Sequence, residues 1–194
     1  MLVEQTILWV EKTKPNEINI VDLGAGSGCV GLSLLQEIPQ ARLLAIDKSK
    51  HALAVAEKNA ASLGVSPRVR FYEGDAGAES VKAQALELAG FPQVRVVVAN
   101  PPYIAQNDGR VEKQVHEFEP HEALYAGGDG MAFLKGWSAN WVLAISSPGL
   151  MLMEMGLDQG PSLQAFFTNL GLSQVEILKD LSGHDRVIKG VKHG

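Results

Sequence analysis

A chain of 194 residues, 46% hydrophobic and 20% charged, carries enough apolar material for one full-sized core and too little charge for a disordered polymer. Its formal charge of −5 argues against a protein that draws its main affinity from neutralising a phosphate backbone, which calls for a basic excess. The lone Cys29 excludes an intramolecular disulfide and suits a reducing compartment, so a cytoplasmic protein with one domain over residues 1–194 is expected.

The opening MLVEQTILWVEKTKP places Glu4 and Glu11 inside its apolar pattern and has no cationic lead, so residues 1–14 read as an amphipathic helix rather than a secretion signal. INIVDL (18–23) is a predicted strand, and Gly28 to Ile38 a helix stopped by Pro39. RLLAI (42–46) is the next strand, and Ser49 caps a helix reaching about Leu63 before Gly64. RVRFYE (68–73) is a strand, Glu79 to Leu88 a helix, and VRVVVA (94–99) a strand with the β-branched run of a segment buried on both faces. Residues 104–129 read as a long loop. Gly130 to Ser146 is a predicted helix, LMLMEM (150–155) a strand, Pro161 to Leu170 a helix, and two closing strands lie near 174–178 and 186–191. The apolar run from Trp141 to Met153 is broken by Pro148 and Gly149 and falls far short of the roughly 20 residues of a membrane span.

Strands alternating with helices predict an α/β fold: a doubly wound, mostly parallel seven-stranded sheet. The short gap DLSGHD makes the last two strands an antiparallel hairpin at one edge. Ligands of such sheets sit at the carboxyl ends of the strands, where the winding reverses. At the first strand end, VDLGAGSGCVG (21–31) supplies Gly24, Ala25, Gly26, Ser27 and Gly28, a turn that lets backbone approach a ligand closely at the start of a helix. At the second, Asp47 stands nineteen residues after Gly28, where a carboxylate can accept both hydroxyls of a ribose. At the third, Asp75 in EGDA, with Ala76, can meet the amino edge of an adenine. Gly26, Gly28 and Gly31 also satisfy the G-x-G-x-x-G spacing, so the glycines alone leave nicotinamide and adenosyl cofactors level.

The fourth strand ends in Asn100-Pro101-Pro102-Tyr103, a motif that a nicotinamide enzyme does not need. Proline has no amide donor and holds the residue before it extended, so the carbonyls around Asn100 are left without ladder partners. An amide nitrogen is a poor nucleophile because its lone pair is delocalised into the carbonyl. The resemblance of this motif to that of nitrogen-methylating enzymes implies that the Asn100 side-chain oxygen and the Pro101 carbonyl accept both hydrogens of a planar NH2 group and fix its nitrogen in line with an electrophile. Tyr103 can lie flat against that group and exclude water.

The order VDLGAGSG, Asp47, Asp75, NPPY resembles the class I S-adenosylmethionine-dependent methyltransferases, in which NPPY marks those that methylate an amide or amino nitrogen conjugated to a π system. FEPHEALYAGGDG (118–130), LMLMEMGLDQG (150–160) and KDLSGHDRVIKG (179–190) are similar to the peptide chain release factor glutamine methyltransferases, the HemK/PrmC family, along nearly the whole chain. The resemblance implies a Rossmann-like methyltransferase fold and S-adenosylmethionine as cofactor. It implies a class I release factor as partner, through the glutamine of its Gly-Gly-Gln loop, with 104–129 as a substrate-side loop. It further implies a monomer that does not act on membranes, with an adenine or guanine amino group in nucleic acid as the rival acceptor and a non-catalytic cofactor-binding module as the rival role. Family members usually carry a helical N-terminal domain and then a Pro-Arg-x-x-Thr-Glu segment, and Met1-Leu2-Val3-Glu4 falls just after it. The expectation is a catalytic domain without that helical domain. Relatives also often place an aromatic at the position of Ala76, so looser cofactor binding is expected.

Other residues carry less. His116, Glu117, Glu119, His121 and Glu122 are interrupted by Pro120 and lack metal-ligand spacing, so no metal is expected. Cys29 reads as a small buried thiol, and Trp137 and Trp141, four apart, as core. Asp22 either steadies the glycine turn or touches the cofactor. Glu154, alone in an apolar strand, is either a satisfied internal carboxylate or a substrate-side group.

Overall fold

The computed structural model describes residues 1–102, 104–105, 125–126 and 130–193. The elements in chain order are α1 (Leu2–Thr13), β1 (Asn19–Leu23), α2 (Cys29–Glu37), β2 (Arg42–Asp47), α3 (Lys50–Ser62), β3 (Val69–Glu73), α4 (Glu79–Ala89) and β4 (Val94–Ala99). They continue with β5 (Ile104–Ala105), β6 (Tyr125–Ala126), α5 (Ala132–Trp141), β7 (Ile145–Glu154), α6 (Gly160–Asn169), β8 (Ser173–Lys179) and β9 (Asp185–Lys192).

Seven strands form one sheet in the order β3-β2-β1-β4-β7-β9-β8, parallel except where β9 pairs antiparallel with β7 and β8. Period-2 alternation divides its apolar residues between two cores. Val21, Leu23, Leu44, Ile46, Val97 and Met151 join Trp137 and Trp141 of α5 and Phe167 of α6 on one face. Ile20, Leu43, Ala45, Val96, Val98 and Leu150 join Trp9 of α1 and Leu34 and Leu35 of α2 on the other. Each such side chain, when fully buried, contributes about 1.5–3 kcal/mol. The chain winds from β1 outward to β3 and then returns to place β4 on the other side of β1, so the winding reverses between the carboxyl ends of β1 and β4.

Local signals account for several element boundaries. Ser49 accepts a hydrogen bond from the Ala52 amide at 3.2 Å and caps α3. Leu2, Thr6, Trp9 and Val10 form the buried stripe of α1, and Lys14 closes it in the left-handed region. No described helix is long and apolar enough to cross a membrane.

Two boundaries differ from expectation. The predicted helix 130–146 ends at Trp141, followed by a 3-10 turn over Val142–Ala144, and Ile145 already pairs with Val94. The register then shifts to Val96↔Leu150, with Ser146 Oγ donating to the Val94 carbonyl at 3.0 Å, so the sheet absorbs Pro148 in an irregular segment of β7. The predicted loop 104–129 is not wholly irregular, because Ile104–Ala105 and Tyr125–Ala126 pair in parallel. The closing hairpin lies at one edge as expected, with β9 as its inner strand. Its Val187, Ile188 and Val191 are buried against β7, while β8, exposed at alternate positions, takes the edge.

Candidate functional site

The loop after β1 is made of backbone that only glycine adopts without strain: Gly24, Gly26 and Gly28 have φ of 68°, 56° and 85°. The Gly24 and Ala25 amides donate to the Ile46 carbonyl at 2.8 and 3.0 Å, which ties the loop to β2. A Cβ on Gly28 would stand 2.7 Å from Leu32 Cδ1, whereas one on Gly26 would meet nothing within 4 Å. Gly26 therefore borders open space. Ala25 is buried, and Ser27 is exposed with its carbonyl accepting from Asn59 Nδ2 at 2.9 Å.

One carboxylate holds this loop, and a second holds the first turn of the helix that follows it. Asp47 Oδ2 accepts the Gly26 amide at 2.8 Å and Oδ1 accepts the Ser49 amide at 2.8 Å. Asp47 is only half-buried, and each oxygen keeps a second lone pair for a hydroxyl donor. Asp22, 2% exposed, accepts the Gly31 amide at 2.9 Å through Oδ2. Loss of hydration pushes its carboxyl up to about 7, the Gly31 amide opposes the shift, and the Asp47 charge adds to it. Asp22 thus fastens the first turn of α2, next to the glycine turn, to the end of β1.

Gly31, last glycine of the G-x-G-x-x-G spacing, serves packing: a Cβ there would lie 2.7 Å from Leu43 Cδ2 and 2.9 Å from Asp22 Oδ2. One of the amides in the first turn of α2 is thus already taken by an internal carboxylate. This donor set suits a ribose beside Asp47 better than a pyrophosphate on the helix. Cys29 departs from its expected burial. As the first residue of α2 it is exposed, away from the packed face of Gly31, Leu32, Leu34 and Leu35.

At the end of β3, Asp75 Oδ1 accepts the Gly77 amide at 2.8 Å. Ala76 is buried in the core, and its carbonyl accepts from Trp141 Nε1 at 2.8 Å and Asn140 Nδ2 at 3.0 Å. Helix α5 thereby anchors the Asp75–Gly77 turn. Trp137, read from sequence as core, also lies under both loops: a Cβ on Gly24 would stand 2.9 Å from its Cη2, and one on Gly77 3.5 Å from its Nε1. Sequence periodicity marks Trp137 as buried and carries no signal for this second contact.

At the end of β4, the Asn100 carbonyl lies 3.9 Å from the point where a Cβ on Gly24 would stand, so this turn faces the glycine loop. Asn100 is exposed, and its side chain has no partner among the described residues; Pro101 is buried and Pro102 half-buried. Tyr103, most of the 104–129 segment and the His116–Glu122 cluster lie outside the described residues. Among the described residues no three His, Cys, Asp or Glu side chains are grouped to hold a metal ion. Glu154 ends β7, half-buried and opposite Val187. The fold thus gathers Gly24, Gly26, Asp47 and Asn100 at three neighbouring strand ends, with Asp75 on the next strand.

Solved structures with this architecture include a SAM-dependent O-methyltransferase from Thermotoga maritima, at a TM-score of 0.67 and 13% identity over 99% of this chain and 64% of that one. The hMettl16 catalytic domain bound to an RNA hairpin aligns at a TM-score of 0.69 and 15% identity, over 100% and 72% of the two chains. Such identities establish a shared fold alone. Sequence relatives lie nearer. Release factor glutamine methyltransferase of Caulobacter vibrioides is 38% identical over 90% of this chain and 58% of its own length. The enzyme of the same name from Xylella fastidiosa is 36% identical over 97% and 64%. This chain therefore spans less than two thirds of the length of these curated relatives. Residues 5–129 match the methyltransferase small domain, a stretch that contains the glycine loop, Asp47, Asp75 and the Asn100 turn, and the chain belongs to that family.

Proposed function

We propose that this chain is the catalytic domain of an enzyme that methylates the side-chain amide nitrogen of the glutamine in the Gly-Gly-Gln motif of class I peptide chain release factors. S-adenosylmethionine is its methyl donor in this reading. The observation that carries it is the Asn100 turn standing beside the glycine loop at the paired ends of β4 and β1, with the Asn100 side chain exposed and unpaired among the described residues. The names of the sequence relatives support the choice of substrate.

S-adenosylmethionine, when bound, supplies a cationic sulfonium whose methyl group is the electrophile. The chain's own residues bind and orient. Gly24, Ala25, Gly26, Ser27 and Gly28 form the turn that offers backbone to the donor, with open space at Gly26, and Asp47 accepts ribose hydroxyls with the lone pairs that Gly26 and Ser49 leave over. Asp75 and the Ala76 segment face the base. Asn100 Oδ1 and the Pro101 carbonyl accept the two hydrogens of the substrate amide and align its nitrogen, while Tyr103 covers the flat face of the amide and excludes water. No strong base would be required: as the N–C bond forms the methyl–sulfur bond breaks and a neutral thioether leaves, while the amide proton stays on the nitrogen, hydrogen-bonded to Asn100 Oδ1, until the alkylated and now acidic nitrogen loses it to water. The chain acts in this reading as a monomer in the cytoplasm, with no membrane and no nucleic acid as partner.

The test is transfer of labelled methyl to recombinant release factor, to its Gln-to-Ala loop variant, and to DNA and RNA. Label on the intact release factor alone is the expected result. Label on nucleic acid selects an amino methyltransferase acting on adenine or guanine, and binding of the donor without any transfer selects a cofactor-binding module.

A further inference from the structure

One peptide unit joins the core to the donor side. The carbonyl of Ala76 accepts from Asn140 Nδ2 at 3.0 Å and Trp141 Nε1 at 2.8 Å, and the N–H of the same peptide, that of Gly77, donates to Asp75 Oδ1 at 2.8 Å. Donors on a carbonyl polarise its peptide and strengthen the bond that the N–H makes. Helix α5 therefore acts through this peptide on the Asp75 carboxylate, an exposed group that a ligand can reach. Asp75 Oδ2 accepts nothing from the described residues. The turn also stands beside Asp47, because the Gly74 amide donates to the Asp47 carbonyl at 2.9 Å.

Behind Asn140 lies a buried charge that the reaction does not use. Lys82 of α4, 8% exposed, donates from Nζ to the Asn140 carbonyl at 2.8 Å and to Glu79 Oε2 at 2.9 Å. An ammonium taken out of water needs such acceptors. Asn140 is thus held at its backbone by α4 while its side chain holds Ala76. Trp141 fills the core as well, but Asn140 is only half-buried.

We infer that Asn140, backed by Lys82, is a positioning residue for recognition of the base of the bound nucleoside. Through the Ala76–Gly77 peptide it fixes the Asp75 carboxylate so that Oδ2 accepts from the amino group of an adenine. An acceptor fixed beforehand loses no side-chain freedom when the ligand arrives. The inference rests on the adenosyl-donor reading above.

The experiment uses the whole chain and two probes in titration calorimetry: S-adenosylhomocysteine and its purine counterpart, which lacks the 6-amino group. Wild type should prefer the adenine ligand by about tenfold, as for a hydrogen bond to a charged acceptor. Asn140→Leu leaves Trp141 as donor to the Ala76 carbonyl and so keeps the turn paired. It should bind S-adenosylhomocysteine about fivefold more weakly and the purine counterpart within about twofold of wild type, because only the fixed acceptor is lost. A merely structural role would weaken both ligands equally, and that result overturns the inference. So does a folded Asn140→Leu that keeps the full preference, or a wild type that binds both probes alike; each leaves the donor reading intact. Wild type that binds neither probe removes both. If Asn140→Leu misfolds, Lys82→Met decides: the preference should fall by about twofold as Asn140 loses its backing, and an unchanged preference overturns the inference.

Discussion

The two sides of the candidate site are built differently. At the ends of β1, β2 and β3, Asp22, Asp47 and Asp75 each accept backbone amides at 2.8–2.9 Å, so the glycine loop and its neighbours are cross-linked by the protein itself. At the end of β4, Asn100 stands exposed, and its side chain accepts nothing from the described residues. The first side is organised by the protein's own hydrogen bonds, and in the proposed reading the second is completed by the substrate amide. Preorganised groups serve a cofactor that returns every cycle, and unclaimed acceptors serve a group that must be gripped and released.

Substitutions separate the two sides by what they damage. Asn100→Ala should lower methyl transfer by about 10²–10³-fold, as for loss of a positioning hydrogen bond at the reacting group. Donor affinity by titration calorimetry should stay within a few-fold, and an equal fall in both would show that the sides are not distinct. Asp47→Ala should do the reverse. Donor affinity falls at least ~10-fold, and stability in urea falls by about 1–3 kcal/mol because the Gly26 and Ser49 amides lose their acceptor.

Asp22 gives a pH signature confined to the organised side. Its folded pKa of about 7 lies above the ordinary 3.8, so between those values the folded protein keeps a proton that the unfolded chain has released. The resulting stabilisation is complete below pH 3.8 and is lost as pH rises through 7. Asp22→Asn retains an acceptor for the Gly31 amide and should gain about 2 kcal/mol on wild type between pH 5 and 8. Parallel stability curves for the two proteins across that range would refute the burial argument. The smallest effect belongs to Ser49→Ala, which removes the α3 cap and should cost about 1 kcal/mol of stability. Affinity and transfer should not change, because the Ser49 amide still reaches Asp47.

Much of this architecture could be read from the chain. INIVDL, RLLAI and VRVVVA are apolar runs of strand length that fit only a sheet covered on both faces, and Ser49 announces its helix. The boundary of α5 and β7 was less legible, because the apolar stretch from Trp141 to Met153 suits either a helix or a strand. Pairing of Ile145 with Val94 settles it. Burial of β9 rather than β8 is likewise a matter of which strand meets β7.

In the site, spacing drew notice to Gly24, Gly26 and Asp47, and the two prolines after Asn100 together with the motif they form drew notice to Asn100. Neither revealed that Asp47 bonds to Gly26, or that Asp22 serves Gly31. Trp137 spoke only as an apolar residue. Gly24 and Gly77, both far from it along the chain, decide what its indole edge faces.

Residue types and their periods determined the layers, the crevice and the glycines that line it, because backbone sterics and burial act over a few neighbouring residues. Which polar atoms were satisfied inside the protein, and which were left for a ligand, depended on groups brought together from distant strands. Hydrogen bonds act over about 3 Å, so only the folded chain could make that allocation.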